Sequence, residues 1–323
     1  MILRPLTAFF YFSSVFGLES IRVMSFNIWN CGVNVENGVL KIAKHIALVN
    51  PDIVALQEVE FEGCAKNITQ YLPAHWTIVT PDREYPDANI ITKHKVIDFV
   101  APSDSASLYA QIEFPTGSRL NIWGVHAAYQ AYGPYAAYNK MVTNLSQIIT
   151  AEHWHKAGRA ADIQTILSSP EMAEALKEED KIPMIVAGDF NSPSHLDWTD
   201  ETTSIHGGWA VPWPATKELI DFGFIDSFRA LYPSPVEDPA YTWSTCNKFN
   251  SEYDFVIPEP QDRIDFIFYR GGLKPIRSQI YGGTEPIKPI PNHKQNDYPS
   301  DHFAVVTDFA FVKKRSKDLE VFV

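Results

Sequence analysis

At 323 residues with 45% hydrophobic content, the chain can bury one large core or two small ones, and beyond its N-terminus it holds no segment long and apolar enough to span a bilayer. A net charge of −12 argues against a protein that coats nucleic acid by charge alone, although an enzyme needs only a local contact and can recruit cations. Three cysteines allow at most one internal disulfide.

Residues 1–17 carry Arg4, an apolar run from Leu6 to Phe16 and small residues near Gly17, which is a signal-peptide layout; a mature domain would then run from 18 to 323. The sequons Asn67-Ile68-Thr69 and Asn144-Leu145-Ser146 fit a secreted route and make the protein a candidate glycoprotein.

Ile21 to Trp29 reads as a strand that delivers Asn27 near its end. Val39, Ile42, Ala43, Ile46 and Val49 recur at helical spacing, with Lys41, Lys44 and His45 assigned to the other face, and Asn50-Pro51 stops the helix. Asp52 to Val59 is a buried strand with Gln57 and Glu58 at its tip. Strand, helix, strand makes a crossover unit, so Asn27 and Glu58 should emerge on one edge of one sheet. Cys31 and Cys64 each follow one of these strands; their loops could meet, leaving Cys246 over.

Residues 76–80, 89–100 and 107–114 read as shorter strands, and Arg119 to His126 is an apolar strand ending in an ionisable residue. Residues 136–155 and 159–168 read as helices, and a further helix starts with Ser169 as cap and Pro170 in its first turn. His153 and His155, two apart, diverge on a helix and are assigned to solvent rather than to a metal.

Met184 to Ala187, preceded by Pro183, is a short buried strand that ends in Gly188, Asp189 and Asn191. On an extended chain Asp189 and Asn191 share one side and Phe190 takes the other. A carboxylate with a carboxamide can bind a cation, polarise water or hold a phosphoryl oxygen, although a strand ending in Gly-Asp is also simple turn chemistry. Residues 192–214, with Trp198, Trp209, Trp213, His195 and His206, lack periodicity and form either a substrate wall or packing under the rim. A short helix at 216–222 is closed by Gly223. Arg263 to Tyr269 buries Asp265 in an apolar run, which is costly unless that carboxylate is paired. Asp301 and His302 precede a last strand, Phe303 to Ala310. There is no internal repeat or dividing linker.

The motifs SFNIW, LQEV, GVHAAY, GDFN, RIDFIF and SDH, in this order over residues 21–312, resemble the endonuclease/exonuclease/phosphatase superfamily. The resemblance implies an α/β fold, a four-layer α/β sandwich of two mixed β-sheets flanked by helices, with the active site at one edge. It implies Glu58 as the main metal ligand, aided by Asn27, with Asp301 serving this ion or a second one, and hard oxygen donors suit Mg²⁺, with Mn²⁺ as substitute. Asp189 would position or deprotonate the attacking water, Asn191 would steady a non-bridging oxygen, and Asp265 would orient His302 as base or as imidazolium. Which of Asp189 and His302 takes the proton stays open.

His126-Ala127-Ala128 resembles the secreted deoxyribonuclease and sphingomyelinase branches, where a second histidine contacts the phosphate or protonates the leaving oxygen. The abasic-site repair branch carries an acidic residue where this chain has Trp29. The expected function is a secreted metal-dependent phosphoesterase acting on a phosphodiester or related phosphate ester. Its rivals are an extracellular deoxyribonuclease, with nucleic acid as substrate; a sphingomyelinase-like hydrolase whose exposed Trp209 and Trp213 touch a lipid interface; and a secreted binding module that has lost turnover. Oligomeric state is left unassigned.

Overall fold

The computed structural model describes residues 19–153, 158–250 and 254–312. The leader expected at residues 1–17 and His155 lie outside the described residues. β1 (Ser20–Asn27), α1 (Gly38–Val49) and β2 (Ile53–Val59) form the expected crossover, with β1 and β2 parallel and Asn27 opposite Gln57. Ile42, Ala43, Ile46 and Val49 of α1 pack on Met24, Phe26 and Leu56 of those strands. One position departs from the expected face: His45 is buried, its Nδ1 2.8 Å from the Tyr281 hydroxyl and its Nε2 3.1 Å from the Asp297 carbonyl. A polar ring can sit on the apolar side when both nitrogens find partners.

α2 (Cys64–Gln70) begins with the half-cystine that pairs with Cys31, and Cys246 is free and buried. β3 (Thr77–Val79), β4 (Asp87–Thr92), β5 (Lys95–Val100), β6 (Ser107–Glu113) and β7 (Arg119–His126) follow. The stretch 89–100, expected as one strand, is two: β4 stays in the first sheet and β5 crosses to the second. The crossing falls at Lys93-His94-Lys95, a polar break between two apolar runs that the reading passed over.

The helix expected at 136–155 is also interrupted. α3 (Gly133–Tyr138) ends before α4 (Leu145–Glu152) begins, because the Asn144 side chain accepts from the Gln147 backbone while Gln147 Oε1 accepts from Asn144 N at 3.1 Å, a capping box that restarts the helix. His153 caps α4 and is exposed. α5 (Arg159–Leu167) and α6 (Pro170–Lys177) follow, with Ser169 Oγ accepting from Met172 N at 3.1 Å as the cap. β8 (Met184–Asp189), α7 (Pro214–Asp221), β9 (Ile225–Asp226), β10 (Asp265–Arg270), β11 (Leu273–Tyr281) and β12 (Ala304–Phe311) complete the chain. β11 escaped the sequence reading: as the outer strand of its sheet it carries exposed Lys274, Ile276 and Arg277 and a bulge after Pro275, so it lacks a clean alternation.

The two mixed sheets have six strands each, in the orders β11-β12-β1-β2-β4-β3 and β5-β6-β7-β8-β10-β9. Their inner faces meet through Val23, Ile53, Ile90, Ile122, Ile185 and Phe309. Outside, α1 and α2 cover the first sheet, and α5, α6 and α7 cover the second. This is the four-layer sandwich the motifs imply. In both sheets a parallel pair, β1 with β2 and β7 with β8, sends strand ends to a common rim.

Candidate active site

Asn27 joins the two sheets at that rim. Its Nδ2 donates to Glu58 Oε1 at 3.0 Å and to Asp189 Oδ2 at 2.9 Å, and its Oδ1 accepts from Trp29 N at 3.0 Å. Glu58 Oε2 accepts from Asn30 N at 2.8 Å. Glu58 lies at a bulge between β2 and β4 and has φ 62°, and Asp87 across that bulge has φ 60°. Left-handed backbone at two non-glycine residues costs free energy and is characteristic of sites where side chains must be aimed. Ser300 Oγ donates to the Asn27 carbonyl at 2.7 Å and accepts from His302 N at 3.0 Å, so the Asp301-His302 loop is tied to the end of β1.

Strand register brings the second group together. Asp189 lies opposite His126 on β7 and opposite Asp265 on β10. Gly188 permits this close pairing, since a Cβ there would overlap the Val125 backbone oxygen. His302 Nδ1 lies 3.0 Å from Asp265 Oδ2, which gives the buried carboxylate its partner. The Nε2 atoms of His302 and of His126 both lie 3.7 Å from Asp189 Oδ2. That is too long for a hydrogen bond, so both edges stay available to a substrate. On its other side His126 Nδ1 meets Asp87 Oδ1 at 2.6 Å.

The charges follow. Burial pulls the His126 imidazole down, but Asp87, Asp189 and Glu58 outweigh it and carry the group to about 10. Burial likewise opposes protonation of His302, and Asp265 with Asp189 overcomes it, holding the ring well above its ordinary value. Burial raises the Asp265 carboxyl, against the pull of His302.

Asn191 reaches the site differently from expectation. The extended chain stops at Asp189, and Asn191 turns into left-handed backbone at φ 48°. Its N–H donates to Asp189 Oδ1 at 2.8 Å and its Nδ2 to the Ala127 carbonyl at 2.9 Å. Phe190 is buried against Phe266 and Phe268.

Two hollows, of about 710 and 800 Å³, share Glu58, Asn191 and Asp301 in their linings; His302 opens on the first and His126 on the second. Asp301 Oδ2 accepts from Trp243 Nε1 at 3.3 Å, whereas its Oδ1 is buried without a hydrogen-bond partner. Burial, with the charge of Glu58, raises the Asp301 carboxyl to about 7. An orphaned carboxylate oxygen beside a second carboxylate fits a hard divalent cation, which would satisfy the lone pair and remove the repulsion. Asp189, Asp265 and His302 also bring ligand atoms within 4.8 Å of one another, close enough to share a cation. Asn27 uses its amide to fix Glu58 from behind.

The two indoles expected at an interface are not exposed there. Trp213 is fully buried against Ala137, Ile148 and Trp198, and Trp209 is half-buried beside it. The irregular stretch 192–214 buries Trp198 and Trp213 to anchor its own backbone, with Trp209 packed partly against them, so the rim-packing alternative describes Trp213. Two residues of the site gave no signal in the sequence: Asp87, an acidic residue at the start of an unremarkable strand, and Arg159. Arg159 is fully buried, pairs with Glu152 at 3.2 Å, and donates to the carbonyls of Asn191, Tyr129 and Gln130, the last two at 3.1 and 2.9 Å. It thereby ties both flanks of the site together.

The profile described as the Endonuclease/Exonuclease/phosphatase family matches residues 24–302. A chain described as uncharacterized protein F14F9.5 of Caenorhabditis elegans is 49% identical over 302 residues, which are 94% of this chain and 95% of that one. Among solved structures, truncated C. elegans TDP2 is similar with TM-score 0.57 at 19% identity, over 90% of this chain and 97% of that one. D. rerio TDP2 complexed with single strand DNA product gives 0.52 at 17%, over 90% and 98%. A Bacteroides thetaiotaomicron mannosyl-6-phosphatase gives 0.56 at 16%, over 90% and 100%. At such identities the solved structures speak for the fold alone.

Proposed function

The chain belongs to the endonuclease/exonuclease/phosphatase family, and on that footing we propose that it is a secreted, Mg²⁺-dependent hydrolase that cleaves a phosphodiester or related phosphate ester by in-line attack of water. One observation carries this reading: Asp189 Oδ2 stands 3.7 Å from Nε2 of both His126 and His302, with the Asn27 amide 2.9 Å behind it. A carboxylate between two imidazoles is suited to a phosphorus centre, where one group must take a proton and others must offset charge on the phosphoryl oxygens.

The roles divide by charge. Both imidazoles are raised above their ordinary value by carboxylates, His126 chiefly by Asp87 and His302 chiefly by Asp265, which suits them to act as donors. The Asp189 carboxylate is then the proton acceptor for water. His302, oriented by Asp265, offsets charge on the phosphoryl group, and His126, oriented by Asp87, donates to the leaving oxygen. Asn191 offers an amide N–H to a non-bridging oxygen. A divalent cation held by Glu58 and Asp301 supplies Lewis-acid neutralisation of the phosphate, with Mg²⁺ suited to the oxygen donors and Mn²⁺ its substitute.

Secretion is supported by the apolar leader and by the Cys31–Cys64 disulfide, a bond that persists in oxidising compartments. A small ester is favoured over duplex DNA because the hollow beside His126 carries Glu60, Asp87, Asp104 and Asp162 against Arg83 and His126, a wall that stays net acidic and disfavours an extended polyanion. The test is a substrate panel of duplex and single-stranded DNA, RNA, sphingomyelin, phosphoinositides and nitrophenyl esters, run with Mg²⁺ and with chelator. Chelator-sensitive hydrolysis of at least one is expected; none at all would leave a binding module.

A further inference from the structure

The two hollows flanking the catalytic centre differ in chemistry. The one beside His126 is acidic, as described above. The one beside His302 is walled by Tyr132, Tyr135, Met141, Ile148 and Trp243, with Tyr129 on the ridge that the two share. We propose that this second hollow seats a flat, unsaturated ring carried by the phosphate ester, of the nucleobase class, and so sets substrate choice. The inference rests on the phosphoesterase reading and deepens it.

The walls favour a ring over a hydrocarbon tail. Tyr132 meets Tyr135 at 79° with centroids 5.1 Å apart, and meets Trp243 at 82° with centroids 5.9 Å apart. Rings set at right angles offer a face and an edge to the same guest, the two geometries an aromatic quadrupole prefers. The corner is rigid: the Tyr132 hydroxyl donates to Asp262 Oδ2 at 3.1 Å, and the Arg159 guanidinium lies 5.8 Å from the centroid of that ring. A preformed corner costs little ordering on binding. Gln130, on the ridge between the two hollows, and the side-chain N–H groups of Gln147, its Oε1 being taken by the cap of α4, give amide partners for the polar edge of a heterocycle that an alkyl chain would leave unused. At about 710 Å³ it lies within the range of small-molecule sites, and it opens directly on Asn191, Asp301 and His302, so a ring seated there places its phosphate at the catalytic centre.

Met141 and Tyr135 are neither among the acid-base groups nor among the carboxylates assigned to the cation, so they can be changed without removing chemistry. The experiment measures binding by calorimetry, with Mg²⁺, of adenosine 5′-monophosphate, ribose 5-phosphate and octyl phosphate. The nucleotide is expected to bind roughly tenfold or more tighter than the sugar phosphate, as stacking of one base allows. Met141→Ala and Tyr135→Leu should each shrink that margin severalfold and leave ribose 5-phosphate unchanged. Met141 is on the surface, so its variant remains informative if Tyr135→Leu folds poorly. Equal binding of nucleotide and sugar phosphate, or tightest binding of octyl phosphate lost in the same variants, would overturn the ring subsite while leaving the phosphoesterase reading standing. Failure of all three phosphates to bind would overturn this inference, whereas the phosphoesterase reading stands or falls on the substrate panel.

Discussion

His302 and Asp189 face each other across 3.7 Å, Nε2 to Oδ2, although they stand 113 positions apart in the chain. They are brought together by the tie of Ser300 to the end of β1 and by the register that sets Asp265 opposite Asp189. Asp265 then acts through His302 rather than on substrate.

His302→Ala should reduce kcat by roughly 10²–10⁴-fold, the usual reach of an acid-base group. Asp265→Asn should cost less, and the double variant should be no slower than His302→Ala alone, because residues that act as a unit are not additive. Steady-state kinetics of the four proteins check this; a multiplicative double variant would separate the two residues.

Glu58→Gln should raise the Mg²⁺ concentration needed for half-maximal activity by at least roughly tenfold, because it exchanges an anionic ligand for a neutral one and leaves the orphaned Asp301 oxygen to hold the ion alone. A metal titration of activity reads the shift. Unchanged metal dependence would remove Glu58 from the site.

Arg159→Met should destabilise the fold by about 3–5 kcal/mol, the cost of leaving a buried carboxylate unpaired, here Glu152, whose carboxyl burial already pushes upward. Three carbonyls of the site loops lose their donor as well. Urea unfolding of the variant against the native chain measures it, and a change within about 0.5 kcal/mol, the scale of a surface substitution, would contradict the role assigned to the pair.

His206 stacks on Trp198 at 4.1 Å, and burial pulls its imidazole down from 6.5 to about 4. The folded state disfavours the proton, so the unfolded chain binds more protons between those values. The stabilising effect of the neutral ring is full above pH 6.5 and is lost as pH falls toward 4. Thermal melts at pH 7.5 and 5 should show a larger drop in Tm for the native chain than for His206→Phe. Equal drops would show that His206 does not titrate between these states.

Much of this arrangement was legible in the sequence, for a physical reason. Strand ends are written locally: an apolar run that stops at Asn27, Glu58, His126 or Asp189 announces both the strand and the polar residue it delivers, and parallel pairs carry those ends to one rim. Asp265 was legible too, because a carboxylate in an apolar run must find a partner. What stayed hidden depends on tertiary neighbours. Asp87 matters only because the bulge at Glu58 brings it under His126, and Arg159 only because three carbonyls converge on it. The same limit applies to Trp213: an irregular stretch gives no face, so nothing local showed that this indole turns inward while Trp209 stays half-buried. The continuous helix expected at 136–155 failed because the reading followed apolar spacing and passed over the cap at Asn144.

The most direct test of the convergence of these residues on one phosphorus centre is the rate of bis(4-nitrophenyl) phosphate hydrolysis by the native chain and by Asp189→Asn, each with Mg²⁺ and with chelator. Release of nitrophenolate that needs Mg²⁺ and falls by two or more orders of magnitude in the variant is the predicted result. Equal release with chelator, or an unimpaired variant, would contradict it.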